Sequence, residues 1–252
     1  MRERPLDLTD RLALVTGGTR GLGLAIAGRL CSLGCEVLVN YAHDDAGAEE
    51  ALEALGAAGG KASLVRADVA DPDQVRAMLD DIERDRGRLD IFVHNAGIHR
   101  PAPATAISRE AYDRITALVV GPLVSGAGHL ARLLPAGTGR VVAVSSTGAR
   151  RAVPDYAALG SAKAALESLV RYLAVELAGR GITVNAVRAG KLDKDPGSAP
   201  SGPAARVAAR TPAGRLTRPG DVADVVAMLC RAEAGWIHGE TITVDGGLHL
   251  MT

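Results

Sequence analysis

The segment Thr16-Gly17-Gly18-Thr19-Arg20-Gly21-Leu22-Gly23 constrains this chain more than any other stretch. It follows the apolar run at residues 11–16 (RLALVT), a predicted strand, and leads into a predicted helix at 24–33. In that setting each of three glycines has its own physical task. Gly17 permits a tight exit from the strand, Gly21 lets the backbone approach a pyrophosphate, and Gly23 allows the helix to pack closely on the sheet. The helix N-terminus then offers free N–H groups and the positive end of its dipole to phosphates. Glycine spacing alone is weak evidence. A strand before it and a helix after it supply the context of a dinucleotide site.

The rest of the chain keeps the same rhythm. Strands are predicted at 36–40, 61–66, 90–94, 141–145, 183–187 and 241–244, with helices at 46–55 and 71–85 among the intervening segments. The strand runs are continuously apolar, as expected of parallel strands covered on both faces. The fold class is therefore α/β: one Rossmann domain over residues 1–252, with a doubly wound parallel sheet of seven strands and right-handed crossovers. One stretch breaks the alternation. Residues 191–215 carry Pro196, Pro200, Pro203 and Pro212 and read as irregular. They follow the C-terminal end of a strand, where open α/β sheets bind ligands, so a substrate lid is expected there.

Composition removes several function classes. Basic and acidic residues balance at 29 each and aromatics are 2%. No nucleic-acid partner is expected on that basis. No apolar run approaches membrane-spanning length, and the opening residues MRERPLDLTD are charged without an apolar core, so a cytoplasmic protein with no membrane partner is expected. Cys31, Cys35 and Cys230 suggest neither disulfides nor a zinc site. The histidines show no ligand spacing, so no metal is expected.

An NAD site ordinarily ends its second strand in an acid that holds the ribose 2′-hydroxyl. Here that end reads Val39-Asn40-Tyr41-Ala42-His43, with no acid before Asp44, and Arg20 inside the glycine turn can pair with a 2′-phosphate. NADP(H) is the expected cofactor. Farther along, Tyr156 and Lys163 lie on a predicted helix that Asp155 caps after Pro154, with Leu166, Val170, Leu173 and Leu177 as its apolar stripe. Seven residues at about 100° each make nearly two turns, so the phenol and the ammonium share a face. Such a lysine can lower the phenol's pKa and hold ribose hydroxyls, while the phenol donates to a substrate oxygen.

These pieces, with Asp68-Val69, Asn95-Ala96-Gly97, Ser145-Ser146 and Val244-Asp245-Gly246-Gly247, resemble the short-chain dehydrogenase/reductase family along essentially the whole chain. The resemblance implies that Asp68 contacts the adenine, that Asn95-Ala96-Gly97 lines the adenosine side, that Lys163 holds the nicotinamide ribose, and that the protein is a homotetramer. The implied cofactor-binding set is Gly17, Thr19, Arg20, Gly21, Leu22, Gly23, Asp68, Val69, Asn95, Ala96, Gly97, Lys163, Gly190 and Leu192. The implied catalytic set is Tyr156, Lys163 and Ser146.

Three departures from the commonest family pattern matter. That pattern has three residues between tyrosine and lysine, which would put the tyrosine where Leu159 stands; here six intervene. The longer spacing, with residues 151–156, 171–177 and 211–215, is similar to enoyl-acyl-carrier-protein reductases, closest to the NADPH-dependent bacillus type. Moving the tyrosine back one helical turn shifts it by about 4.5 Å. That suits conjugate reduction, in which hydride goes to the β-carbon and the stabilised oxygen lies three bonds away. Second, Val119 replaces the asparagine that many members use in a proton relay. Third, the stretch after the sixth strand reads Ala189-Gly190-Lys191-Leu192-Asp193-Lys194, where both lysines are unusual and an acidic or carrier-bound substrate is one reading of them.

The expected function is thus NADPH-dependent reduction of an activated alkene, an enoyl thioester on a small-molecule or protein carrier. A ketoreductase is the alternative, against which Leu159 and Val119 count. A non-redox NADP(H)-binding protein is the third.

Overall fold

The computed structural model describes residues 8–193 and 198–251. Lys194 and Pro196 lie outside the described residues. Every predicted strand forms: β1 (Leu12–Thr16), β2 (Glu36–Tyr41), β3 (Lys61–Arg66), β4 (Ile91–His94), β5 (Arg140–Ser146), β6 (Thr183–Ala189) and β7 (Thr241–Val244). All pairings are parallel, in the order β3-β2-β1-β4-β5-β6-β7. The order reverses direction at β1, so the β1–β4 junction is the switch point where this architecture opens a crevice. Strands β1, β4, β5 and β6 are buried throughout, whereas the edge strands β3 and β7 are only partly covered.

Alternation along each strand sorts the core into two layers. Leu12, Leu14, Phe92, Val141 and Val184 face helices α3 (Pro72–Arg86), α4 (Arg109–Leu133) and α5 (Ala157–Ala178). Ala13, Val15, Ile91, Val142 and Val187 face α1 (Gly21–Ser32) and α7 (Pro219–Cys230), while Leu55 of α2 (Asp45–Ala57) closes the β2 end. Capping chemistry sets several helix starts. Asp71 precedes Pro72 and accepts from the N–H groups of Asp73 and Gln74, and Ser108 accepts from Ala111.

Three expectations need correction. Asp155 does not cap α5. Its backbone is left-handed (φ 56°), and this reversal makes Tyr156 the cap residue, at the helix mouth rather than within the helix. The stretch expected to be irregular contains α6 (Gly202–Arg210), whose Ala208 is buried. Pro203 falls in its first turn, where a missing N–H does no harm. Finally, α4 is long and apolar enough to cross a membrane, with a mean hydropathy of 1.2. Its apolar residues Ile115, Val119, Leu123 and Leu130 are instead packed in the core.

A buried network ties the sheet to α4. The Thr16 hydroxyl accepts from the Asn95 and Ala96 N–H groups (3.0 and 3.1 Å) and donates to His94 Nδ1 at 2.9 Å. His94 Nε2–H then donates to the Val119 carbonyl at 2.9 Å, an acceptor-only group that fixes the tautomer. Burial, with a contribution from the Lys163 charge, pushes His94 down to about 3. An unfolded histidine titrates near 6.5, so below that pH the unfolded chain takes a proton that the folded protein refuses until about 3. The stability this histidine contributes is present above pH 6.5 and lost as pH falls toward 3. Urea unfolding should show wild type losing about 2 kcal/mol more than His94→Gln between pH 7 and pH 5; equal losses would contradict this account.

Candidate active site

The C-terminal ends of β1, β4, β5 and β6 open into a cavity of about 880 Å³, the size of a cofactor together with a small substrate. One half is built by the glycine turn. Gly17 leaves β1 with φ +59°, and a Cβ on Gly23 would run into the Gly17 carbonyl oxygen, so only glycine lets α1 start this close to the strand. Asn95 Nδ2 donates to the carbonyls of Thr16 (3.2 Å) and Gly17 (3.0 Å), which holds the turn from the β4 side. Asn40 holds it from β2: its Oδ1 faces the Gly17 N–H and its Nδ2 donates to Ala67 O at 2.9 Å. A Cβ at Gly21, with φ +54°, would meet nothing within 4 Å. The turn is therefore an open cradle of backbone at the start of a helix, which fits a pyrophosphate.

The adenosine end also fits. Asp68 lines the cavity; burial raises its pKa, but the Arg114 guanidinium at 2.7 Å and the Ala70 N–H hold it below the usual carboxylate range. Its amide-facing lone pairs are thus partly engaged by the protein itself. Asp44, the nearest acid after β2, is engaged too, since it caps α2 by accepting from Gly47. Arg20 is exposed, lines the cavity and makes no capping bond, while the two acids of that wall, Asp44 and Asp68, are each engaged by other groups. Two residues of the expected cofactor set do not form the wall. The Val69 side chain points into the core under α3, and Gly21 presents only backbone.

The other half centres on Tyr156. Its ring lies over Gly148, where a Cβ would stand 2.5 Å from ring carbons. Its hydroxyl donates to Ser146 Oγ at 3.1 Å. Lys163 reaches from the second turn of α5; its ammonium donates to Val144 O at 2.6 Å and faces the open side of Gly97. Burial pushes this lysine down to about 8, against the raising effect of Glu167. The expected lowering of the phenol is not observed. Burial raises Tyr156, and only the Ser146 hydrogen bond opposes it, because the ammonium is directed at a strand carbonyl. Leu159, where the commoner spacing would put the tyrosine, is packed in the core, as is Val119.

Sequence reasoning missed two partners of Tyr156. Gly148 was legible only as a glycine between Ser146 and Tyr156, and the His99 ring lies 4.8 Å from the phenol ring, tilted by 47°. Around them Ile98, Val153, Pro154, Val207 and Leu248 make an aliphatic wall. Gly190 and Leu192 line the cavity as expected, and Lys191 stands exposed at its rim. Arg151, five residues before Tyr156, donates to the carbonyls of Leu248, His249 and Met251 and fastens that segment to the catalytic loop. No metal-binding cluster occurs among the described residues.

Comparisons with known proteins agree with this geometry. Residues 17–249 match the family described as enoyl-(acyl carrier protein) reductase. The chain is 39% identical over 246 residues to 1-cyclohexenylcarbonyl-CoA reductase of Streptomyces collinus, covering 96% of this chain and 88% of the relative. It is 36% identical to cis-4-hydroxycyclohexanecarboxylate dehydrogenase of Sinomonas cyclohexanicum, over 94% of this chain and 96% of the relative. A short-chain dehydrogenase of Burkholderia cenocepacia solved with NADP superposes with a TM-score of 0.88 at 34% identity, covering 96% of this chain and 99% of that one.

Gly23→Ala should separate α1 from β1 at a cost of about 1–3 kcal/mol, the usual range for overpacking. Thermal unfolding should report that loss and NADPH fluorescence a cofactor affinity reduced at least tenfold; unchanged affinity would show that the turn does not form the cradle.

Proposed function

This chain belongs to the short-chain dehydrogenase/reductase family, and within it we propose an NADPH-dependent reductase of α,β-unsaturated acyl thioesters. The observation that carries the reading is the position of Tyr156. It sits at the mouth of α5, seven residues before Lys163, hydrogen-bonded to Ser146, while Leu159 is withdrawn into the core. The family description and the cyclohexenylcarbonyl-CoA reductase relative support the same chemistry. By their names one relative acts on a six-membered ring bearing a CoA thioester and the other on one bearing a carboxylate, and the wall of Ile98, Val153, Val207 and Leu248 suits an alicyclic or branched acyl group.

The glycine turn and the start of α1 would hold the cofactor pyrophosphate, Arg20 its 2′-phosphate, Asp68 and Asn95-Ala96-Gly97 its adenosine side, and Lys163 its nicotinamide ribose. When bound, the cofactor supplies hydride to the β-carbon of the conjugated thioester. Tyr156 donates a hydrogen bond to the thioester oxygen and so stabilises the enolate as negative charge develops there; the proton that completes the reduction reaches the α-carbon from solvent. When the phenol hydrogen is turned to the substrate, the 3.1 Å contact reverses, the Ser146 hydroxyl donating to the phenol oxygen and holding its orientation. The Lys163 ammonium, held in a buried setting, adds a positive charge that favours the enolate. Val207 on α6 brings the segment 191–215 to the cavity wall, which supports a lid role for that segment.

The dehydrogenase relative favours carbonyl chemistry as the second reading. Following NADPH oxidation with paired substrates separates the two. A 2-enoyl thioester should be turned over with a kcat/KM at least 100-fold above that for the matching 3-oxoacyl thioester, and the reverse order would install the ketoreductase reading. Tyr156→Phe should lower kcat by about 100-fold or more while leaving NADPH affinity unchanged, as for loss of a positioned hydrogen-bond donor to the enolate oxygen. Arg20→Ala should weaken NADPH by roughly tenfold to 100-fold, the worth of a charge-assisted hydrogen bond, and leave NADH binding unaffected.

A further inference from the structure

Directly behind Lys163 lies a buried ion pair that the reading above does not use. Glu167 follows Lys163 by four residues on α5, so the two side chains are neighbours on one face of the helix. The Glu167 carboxylate is 8% exposed and so is the Arg188 side chain from β6. They pair in bidentate fashion: Arg188 Nη2 to Oε2 at 2.6 Å and Nε to Oε1 at 3.0 Å. Ser145 on β5 donates to the same Oε1 at 2.6 Å. Arg188 in turn donates to Thr243 Oγ1 on β7 at 2.9 Å. One chain of hydrogen bonds thus crosses β5, β6 and β7 and ends on α5.

Its location gives it a second consequence. Val144 and Ser145 are consecutive on β5. Val144 offers its carbonyl to the Lys163 ammonium, and Ser145 offers its hydroxyl to Glu167. Helix α5 is therefore fastened to the end of β5 at two successive turns, and the outer fastening carries the lysine. Removing a charge from such a pair leaves its partner buried alone, which a fold tolerates poorly. A pair that served packing only could be exchanged for apolar groups without loss. The titratable groups around Lys163 are neutral His94 from β4, Tyr156 at the mouth of α5 and Glu167 on α5, with Arg188 of β6 behind Glu167; Arg114 of α4 lines the same cavity. Glu167 is the one anion among them.

We propose that Glu167, locked by Arg188 and Ser145, is a positioning residue that sets the place and the charge of Lys163. The proposal rests on the reading of Lys163 as the residue that holds the cofactor ribose. Glu167 keeps the ammonium protonated at neutral pH and fixes the turn of α5 from which it projects.

The test compares wild type with Glu167→Gln, with the double variant Glu167→Gln/Arg188→Met, and with Ser145→Ala, using NADPH binding by fluorescence and kcat/KM, each across pH. Thermal unfolding of the cofactor-free protein reports folding. Wild type should lose NADPH affinity on the alkaline side of a midpoint near 8, where Lys163 deprotonates. Glu167→Gln should be markedly destabilised. The double variant should regain most of the thermal stability, yet its midpoint should move to the acid side by about half a pH unit, because loss of the nearer Glu167 anion outweighs loss of the Arg188 cation behind it. Its kcat should fall about tenfold with little change in KM for the acyl substrate. Ser145→Ala keeps both charges paired and should show a smaller fall in kcat, about threefold. A double variant, or a Ser145→Ala protein should the double variant not fold, that has wild-type affinity, midpoint and kcat would overturn the proposal. The NADPH arm needs no turnover, so a failure of the enoyl reading would leave it intact and distinguishable.

Discussion

Everything in this site depends on how closely the first helix can approach the first strand. Where Gly17 and Gly23 meet there is no room for a Cβ, and that contact puts the N-terminus of α1 just beyond the end of β1. The same turn brings the Thr16 hydroxyl to the Asn95 and Ala96 N–H groups, so the β4 loop is set by the exit from β1. Through His94 the constraint reaches Val119 on α4. A backbone contact made possible by a missing side chain thus organises the cofactor half of the cavity and anchors one wall of the substrate half. Buried polar groups in this region are each satisfied by a neighbour, which is why the region has one arrangement and not several.

Much of the fold was legible in the sequence, and for a physical reason. Parallel strands covered on both faces must be apolar throughout, so the strand cores of β1, β4 and β5 could be placed to within a residue. Asp71, read from the sequence as the first residue of a helix, is the residue that caps it. Asp155 looked like such a cap and is not one. Its left-handed backbone is imposed by the loop that seats Tyr156 over Gly148, a tertiary demand that local capping rules do not contain. Helix α6 was hidden by its prolines, of which one occupies a helix start. The apolar length of α4 went unread because Gly121, Pro122, Ser125, Gly126, Gly128 and His129 dilute it in sequence while its buried face remains continuous in space.

The site divides in the same way. The glycine turn, Tyr156 and Lys163 announce themselves by residue type and spacing, Asn95 and Ser146 only through the family resemblance, and they do converge on one cavity. Asp44 shows the limit of that approach. As an acid near the end of β2 it resembles a ribose ligand, yet its carboxylate is engaged in capping α2. The His99–Tyr156 contact and the Glu167–Arg188 pair were illegible, because each joins segments whose adjacency follows from strand order and not from local pattern. Side chains that carry chemistry can be found by motif; the groups that tune them are placed by topology.

The grip of Arg151 on the backbone of residues 248–251 has a bearing on how the pocket comes to exist. The cofactor cradle is made by β1, α1 and β2, which are near one another along the chain, and is held from the far side by Asn95, 78 residues beyond Gly17. The wall containing Leu248 is closed only when a segment 97 residues beyond Arg151 returns to the catalytic loop. That wall therefore depends on the far end of the chain: loss of its last few residues should open the side of the cavity beside Tyr156 while the glycine turn keeps its contacts to β2 and β4.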